Sequence, residues 1–235
     1  VPPRYSSPVF GGQSWMFVRD VPSLAKTQPD YSYEAQILGP VCGLDEAGRG
    51  PWAGPVGAAA VILTPESIPN GLNDSKALSH QKRELLLNEM LSRDDILVSI
   101  GIAEPEEIDR LNILHASMIA MQRAVIGLPF IPMMALIDGN RLPPNMPCSA
   151  QAIVKGDAKC LSIAAASIVA KVTRDRLMQQ ADMRYPGYGL AGHKGYPTKA
   201  HKEALLTLGA SPIHRRSFKP VAEAFAAPSL SSIKV

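Results

Sequence analysis

The sequence predicts an α/β fold in which a mixed central β-sheet is flanked by helices, with a helical region at the C-terminal end. Three observations carry this expectation. Two short apolar runs, 37–45 (ILGPVCGLD) and 56–63 (VGAAAVIL), are joined by a Gly/Pro-rich turn, as in a β-hairpin. After them, helical and strand-like apolar periodicities alternate, the pattern of a sheet covered by helices. The tail then carries helical spacing near 199–208 and 218–227.

The elements follow in order. Residues 1–36 are rich in Pro, Ser and Gly and hold no sustained period, so they read as a flexible N-terminal extension. An α/β domain is expected over 37–182, and a basic helical region over 183–235 is expected to pack on the same domain. Beyond the hairpin, the loop PESIPNGLNDSK leads to Ser79, which caps a helix reaching about Arg93, with Leu85, Leu86 and Met90 on one side. Residues 96–103 give a third strand. Pro105 opens a helix that Ile108, Leu111, Met118, Met121 and Val125 continue. Residues 133–138 and 152–155 give the fourth and fifth strands, and Leu161, Ala165, Ile168 and Val172 mark a helix to about Ala181.

Composition narrows the class. With 46% hydrophobic residues in 235, the chain has ample material for a core, which excludes wholesale disorder. No apolar run approaches the roughly 20 residues of a membrane span, and VPPRYSSPVF lacks the features of a secretory signal. Three cysteines without a CxxC pair point to reduced thiols and a cytoplasmic protein. Five histidines without ligand spacing argue against zinc. The net charge of +3 hides an asymmetry: residues 155–220 hold twelve Lys and Arg against four acids. A basic surface so concentrated suits a polyanion.

Four acids stand out. Asp45 and Glu46 close the first strand in VCGLDEAGRG, Asp138 closes the fourth in IDGN, and Asp157 follows the fifth in VKGDAK. Strand ends of one sheet can converge on a common edge. Carboxylates gathered there without compensation take up protons or push the site apart. Two Mg²⁺ or Mn²⁺ ions would balance four such charges, and hard oxygen ligands suit them. A metal pair about 3.5–4 Å apart serves phosphodiester displacement, with Asp45 the candidate to bridge both ions. Ordinary structural roles compete: a helix N-cap for Asp157, a turn for Asp138, and an ion pair for Asp175 between Arg174 and Arg176. Gly48 and Gly50 let the backbone approach a sugar or phosphate, and Arg49 between them adds a planar fork for phosphate.

The motifs DEAGRG, GLNDSKALS, EIDRLNI, IDGN, VKGD, SIAAASIVAKVTRDR, HKGYPTKAH and PIHRRSF occur in this order over roughly 40–222, and together they resemble ribonuclease HII, a type 2 ribonuclease H family. The resemblance implies a ribonuclease H-like fold and a metal-dependent endonuclease. Its partners would be RNA–DNA hybrids and duplex DNA carrying single ribonucleotides. Asp45, Glu46, Asp138 and Asp157 match the metal-binding acids. Gly48, Arg49 and Gly50 match the loop that reads the ribose 2′-hydroxyl. Tyr196 matches the tyrosine packed on the sugar after the ribonucleotide, and Lys76, Lys155, Lys171 and Lys194 are implied phosphate contacts. The GRG triplet favours HII over HIII, and the ending SLSSIKV does not read as a clamp-binding motif with paired aromatics. A monomer is expected.

Two rivals remain at this level. A catalytically silent nucleic-acid-binding module would use the basic segment and need no divalent metal. A resolvase-type nuclease would share the metals but cut DNA lacking any ribonucleotide.

Overall fold

A computed structural model describes residues 28–226. Five strands form one sheet: β1 (Val41–Ala47), β2 (Val56–Ile62), β3 (Leu97–Ala103), β4 (Met134–Asp138) and β5 (Ser149–Ile153), in the order β3-β2-β1-β4-β5. The first three strands pair antiparallel, whereas β4 and β5 join β1 in parallel. The carboxyl ends of β1, β4 and β5 therefore share one edge of the sheet. Asp138 ends β4, Asp45 lies just past the Leu44↔Ile137 pairing, and the turn after β5 holds Asp157.

Helices cover both faces, which is why β2 is buried along its whole length and reads as a continuous apolar run rather than an alternating one. Successive side chains still divide. Ala58, Ala60 and Ile62 pack toward α3 (Ile113–Ile126), while Ala59 and Val61 pack toward α1 (His80–Leu91) and α4 (Leu161–Arg184). The run IAAASIVA in α4 lets that helix lie close on β1. A Cβ added to Gly43 would come within 2.0 Å of the Ser162 backbone.

Several boundaries differ from expectation for identifiable reasons. The helix opened by Pro105 is two helices, α2 (Pro105–Leu111) and α3, separated at Asn112. There φ is +65°, and the Asn112 side chain accepts hydrogen bonds from the backbone N–H groups of Leu114 and His115, capping α3. In α1 the buried stripe is Leu86, Leu87 and Met90, whereas Leu85 is 59% exposed. The fifth strand begins three residues early and ends at Ile153, so Lys155 falls in a left-handed turn. The C-terminal region holds α5 (Leu190–His193), too short to show a period, then α6 (Lys199–Leu208) and α7 (Lys219–Ala226).

Packing also reaches back into the expected extension. Residues 1–27 lie outside the described residues, but Tyr31 donates to the Leu63 carbonyl at 2.9 Å and Glu34 is buried. Glu34 Oε1 accepts hydrogen bonds from the Ser162 N–H and Oγ, at 2.8 and 2.6 Å, and so caps the start of α4 from 128 residues away. Among the described residues no helix is long and apolar enough to cross a membrane.

Candidate active site

The parallel strand ends do what the sequence suggests, for three acids closely and for the fourth at one remove. One carboxylate oxygen from each of Asp45, Asp138 and Asp157 lies within 4.8 Å of the others. Glu46 stands outside that group, paired with Arg49 at 3.3 Å, yet it borders the same cavity. Asp157 caps no helix: it sits in a 3₁₀ turn (Gly156–Ala158), and Cys160 holds the N-cap position of α4. Nor does Asp138 merely form a turn, because its Oδ1 accepts the Gly156 N–H at 2.7 Å and ties the β4 end to the Asp157 turn.

The site carries uncompensated negative charge. Burial, then the charges of Glu46 and Asp138, holds the Asp45 carboxyl well above the usual carboxylate range. Burial raises Glu46 as well, against the opposing pull of Arg49. Asp138 is raised by burial and by Asp157. A single cation touches the cluster among the described residues: Lys76 Nζ lies 2.5 Å from Asp157 Oδ2. Burial works against the Lys76 charge, but the hydrogen bond and charge of Asp157 more than offset it and raise its pKa. Three converging hard oxygen donors, those of Asp45 and Asp138 with raised proton affinity, fit a divalent cation of the Mg²⁺ or Mn²⁺ type.

Around this floor lies a cavity of about 370 Å³, lined by Asp45, Glu46 and Asp138, by the loop Ala47–Gly50, by Lys76, Arg83 and Lys171, and by Tyr196. Gly48 has φ of +101°, and a Cβ there would lie 2.0 Å from Arg174 Nε, so the turn requires glycine on both counts. Gly50 passes close to Tyr196, whose ring edge would be 3.7 Å from an added Cβ. Tyr196 is 42% exposed, with the Arg174 guanidinium 5.9 Å from its ring centre.

Two residues counted in the sequence as basic surface are fully buried. Arg215 donates to the carbonyls of Gly48, Arg49, Gly54 and Pro55 at 2.6–3.2 Å. Arg174 donates to the carbonyls of Ala53, Pro55 and Lys194. Burial, reinforced by the nearby Arg174 charge, pushes Arg215 down to about 9. Arg215 thus holds the GRG loop, and Arg174 the Ala53–Pro55 segment after it, rather than a polyanion. No local spacing signals that, because their acceptors lie more than a hundred residues away in sequence, apart from Lys194.

The four lysines divide. Lys76 and Lys171 reach the cavity, Lys171 while paired with Asp175 at 2.6 Å, so Asp175 is an ion-pair partner, though of a lysine rather than of its flanking arginines. Lys155 and Lys194 do not line it. Lys194 Nζ donates instead to the Ala191 carbonyl, and its own carbonyl accepts from Arg174. Sequence reasoning also missed Arg83, which donates to the Ser75 and Leu78 carbonyls and so shapes the turn bearing Lys76. It missed Ser167 too, whose hydroxyl meets that of Ser75 at 2.6 Å and ties the turn to α4.

A mixed sheet with clustered carboxylates at parallel strand ends, walled by a glycine loop and basic side chains, defines a ribonuclease H-class enzyme. The solved ribonuclease H2 of Pyrococcus horikoshii is similar, with a TM-score of 0.65 and 28% identity over 79% of this chain and 97% of that one. The archaeal ribonuclease HII of Archaeoglobus fulgidus, solved with PCNA, shares the fold at 24% identity and a TM-score of 0.66. The family model described as Ribonuclease HII matches residues 42–221. A curated ribonuclease HII of Maricaulis maris is 63% identical over 77% of this chain and 82% of its own length. One of Paracoccus denitrificans is 55% identical over 82% and 93%. The chain belongs to the ribonuclease HII family.

Proposed function

We propose that the protein hydrolyses the RNA strand of RNA–DNA hybrids and cuts on the 5′ side of single ribonucleotides embedded in duplex DNA, leaving a 3′-hydroxyl and a 5′-phosphate. The observation that carries this is the convergence of Asp45, Asp138 and Asp157 oxygens within 4.8 Å beside the GRG loop. Asp45, Asp138 and Asp157 would hold a pair of Mg²⁺ or Mn²⁺ ions, with Glu46 completing the set once Arg49 turns toward a phosphate. Divalent ions bound there supply charge neutralisation at the scissile phosphate and activation of the attacking water.

The remaining work belongs to the chain's own groups. The backbone of Gly48–Gly50 offers N–H and C=O groups to the 2′-hydroxyl, the atom that separates RNA from DNA at a given sugar. Tyr196 gives the following sugar a flat face. Lys76, Lys171 and Arg49 offer cations to the phosphates, which position the strand without reading bases. The catalytic unit is assigned to 37–182, with the basic region from residue 183 supplying Tyr196 to the same cavity. The three free cysteines support a cytoplasmic setting.

The rival of a silent nucleic-acid binder is disfavoured by the acid cluster, since a phosphate binder gains nothing from gathered negative charge. A gel assay of duplex DNA with one ribonucleotide, beside an all-DNA control, tests the reading in Mg²⁺, Mn²⁺ and chelator. One nick 5′ of the ribonucleotide, dependent on metal and lacking in the control, is expected. Scission of the control would indicate a resolvase-type nuclease, and binding without scission a silent module.

A further inference from the structure

Behind Tyr196 lies a group of three histidines that the proposed chemistry does not use. His201, on α6, and His214 are fully buried, with Nε2 atoms 3.1 Å apart. His193 stacks on His201 with ring centres 4.4 Å apart, and Trp52 and Tyr188 close the sides. No carboxylate forms an ion pair with any of them among the described residues.

The partners of these rings fix every proton. Backbone N–H groups only donate and backbone carbonyls only accept. The Ser211 N–H points at His214 Nδ1 at 3.1 Å, and the Ser211 hydroxyl, which can turn to donate, lies 2.8 Å from the same atom, so that nitrogen is the acceptor and His214 carries its proton on Nε2. That proton faces His201 Nε2, which must therefore be a lone pair, leaving the His201 proton on Nδ1. There it meets the Tyr196 carbonyl at 3.0 Å. The same rule assigns His193: its Nδ1 accepts the Gly195 N–H at 3.1 Å, and its Nε2 donates to the Tyr188 carbonyl at 2.8 Å. All contacts are satisfied by one arrangement, with three neutral rings. An added proton on His201 or His214 would set two N–H groups face to face.

We infer that His201 and His214, joined by a hydrogen bond, and His193, stacked on His201, form a neutral chain that positions the Gly195–Tyr196 turn against the GRG loop. The turn is gripped from both sides. Trp52 N–H donates to the Gly195 carbonyl at 2.8 Å, and Arg215 N–H donates to the Trp52 carbonyl at 2.8 Å, so the same lattice reaches the loop through Arg215. Burial supports the neutral state, holding His201 below the usual histidine range and His214 at about 4. These are positioning residues, since none of them lines the cavity.

The inference rests on the reading of Tyr196 as a sugar contact, and its test separates the two. Nitrogen-15 imidazole spectra of the whole protein near neutral pH should show Nε2–H tautomers for His193 and His214 and the Nδ1–H tautomer for His201. A charged ring, or an Nε2–H tautomer at His201, overturns the chain whatever Tyr196 does. In cleavage at an isolated ribonucleotide, His201→Gln keeps a polar group only at the Nε2 position, leaves the Tyr196 carbonyl without its donor, and should lose about tenfold, the scale of one hydrogen bond. His201→Asn keeps the donor aimed at the Tyr196 carbonyl and should recover to within about threefold of the parent. Equal activities of the two variants also overturn the chain. Tyr196→Ala serves as the separate control: parental cleavage by that variant removes the sugar-contact reading while the tautomers still decide the chain.

Discussion

The floor and the wall of the cavity are built on opposite principles. The floor gathers Asp45, Asp138 and Asp157 with Lys76 as the one touching cation among the described residues, and burial leaves Asp45 and Asp138 with raised proton affinity. The wall buries two arginines and two histidines, with half-buried His193 stacked on one of them, without a carboxylate ion pair among the described residues, yet each guanidinium nitrogen meets a backbone carbonyl and the two buried rings meet each other. Charge left unsatisfied waits for something to arrive; charge fully satisfied holds a shape. Acids left under electrostatic strain, the groups proposed to do the chemistry, thus stand apart from the groups that keep the GRG loop still. Stability should therefore respond to mutation with opposite signs in the two regions, while activity falls in both.

The largest expected effect tests the floor. Asp45→Asn should reduce cleavage at least about a thousandfold, since the proposed metal ions lose a central ligand, yet it should raise Tm in chelator by about 2–4 °C. The pH dependence carries the sign. Folding raises the pKa of Asp45, Glu46 and Asp138, so the folded chain holds protons that the unfolded chain releases. Lowering pH toward the carboxylate range then stabilises the parent, and the variant's advantage should shrink. A Tm below that of the parent at pH 8 would show that Asp45 is structurally satisfied and that the contrast is false.

Arg215→Met should move stability the other way. It strands the carbonyls of Gly48, Arg49, Gly54 and Pro55 in a dry interior, a loss of about 3 kcal/mol or more. Tm should then fall by about 6–12 °C, with activity lost through the loop rather than through metal affinity. Isothermal titration with Mn²⁺ distinguishes the two: Arg215→Met should bind it nearly as the parent does, and Asp45→Asn should not. Next in size, Lys76→Ala should cost about tenfold in kcat/KM while tightening Mn²⁺ binding, because the competing cation beside Asp157 is gone.

How far the sequence could be read follows the same division. The floor was legible, because its acids sit at strand ends and strand ends follow from apolar runs and turn residues. Even there Glu46 stands apart, since its pairing with Arg49 depends on the course of the loop. The wall was mostly illegible. Arg174 and Arg215 look like surface charge in a basic segment, and only contacts spanning roughly 120 to 170 residues make them interior. The histidines have no ligand spacing because they bind each other and the backbone. Asn112 split a helix by an Asx cap, a local preference that an unbroken apolar periodicity conceals. Residues 28–36 look featureless, yet Glu34 reaches Ser162.

The lysines outside the cavity give the smallest effect and the finest distinction. The family resemblance implies Lys155, like Lys76, as a phosphate contact. The structure sets Lys155 in an exposed left-handed turn beyond β5, outside the cavity lining, whereas Lys76 touches Asp157. An exposed cation near a bound duplex still meets the phosphate field, but through water and salt, where a single charge contributes little. Lys155→Ala should leave kcat unchanged and raise KM less than about twofold, while lowering the salt slope of binding by no more than about one. A drop in kcat comparable to that of Lys76→Ala would mean that the turn after β5 moves inward over substrate. The boundary between floor and surroundings would then have to be redrawn to include it.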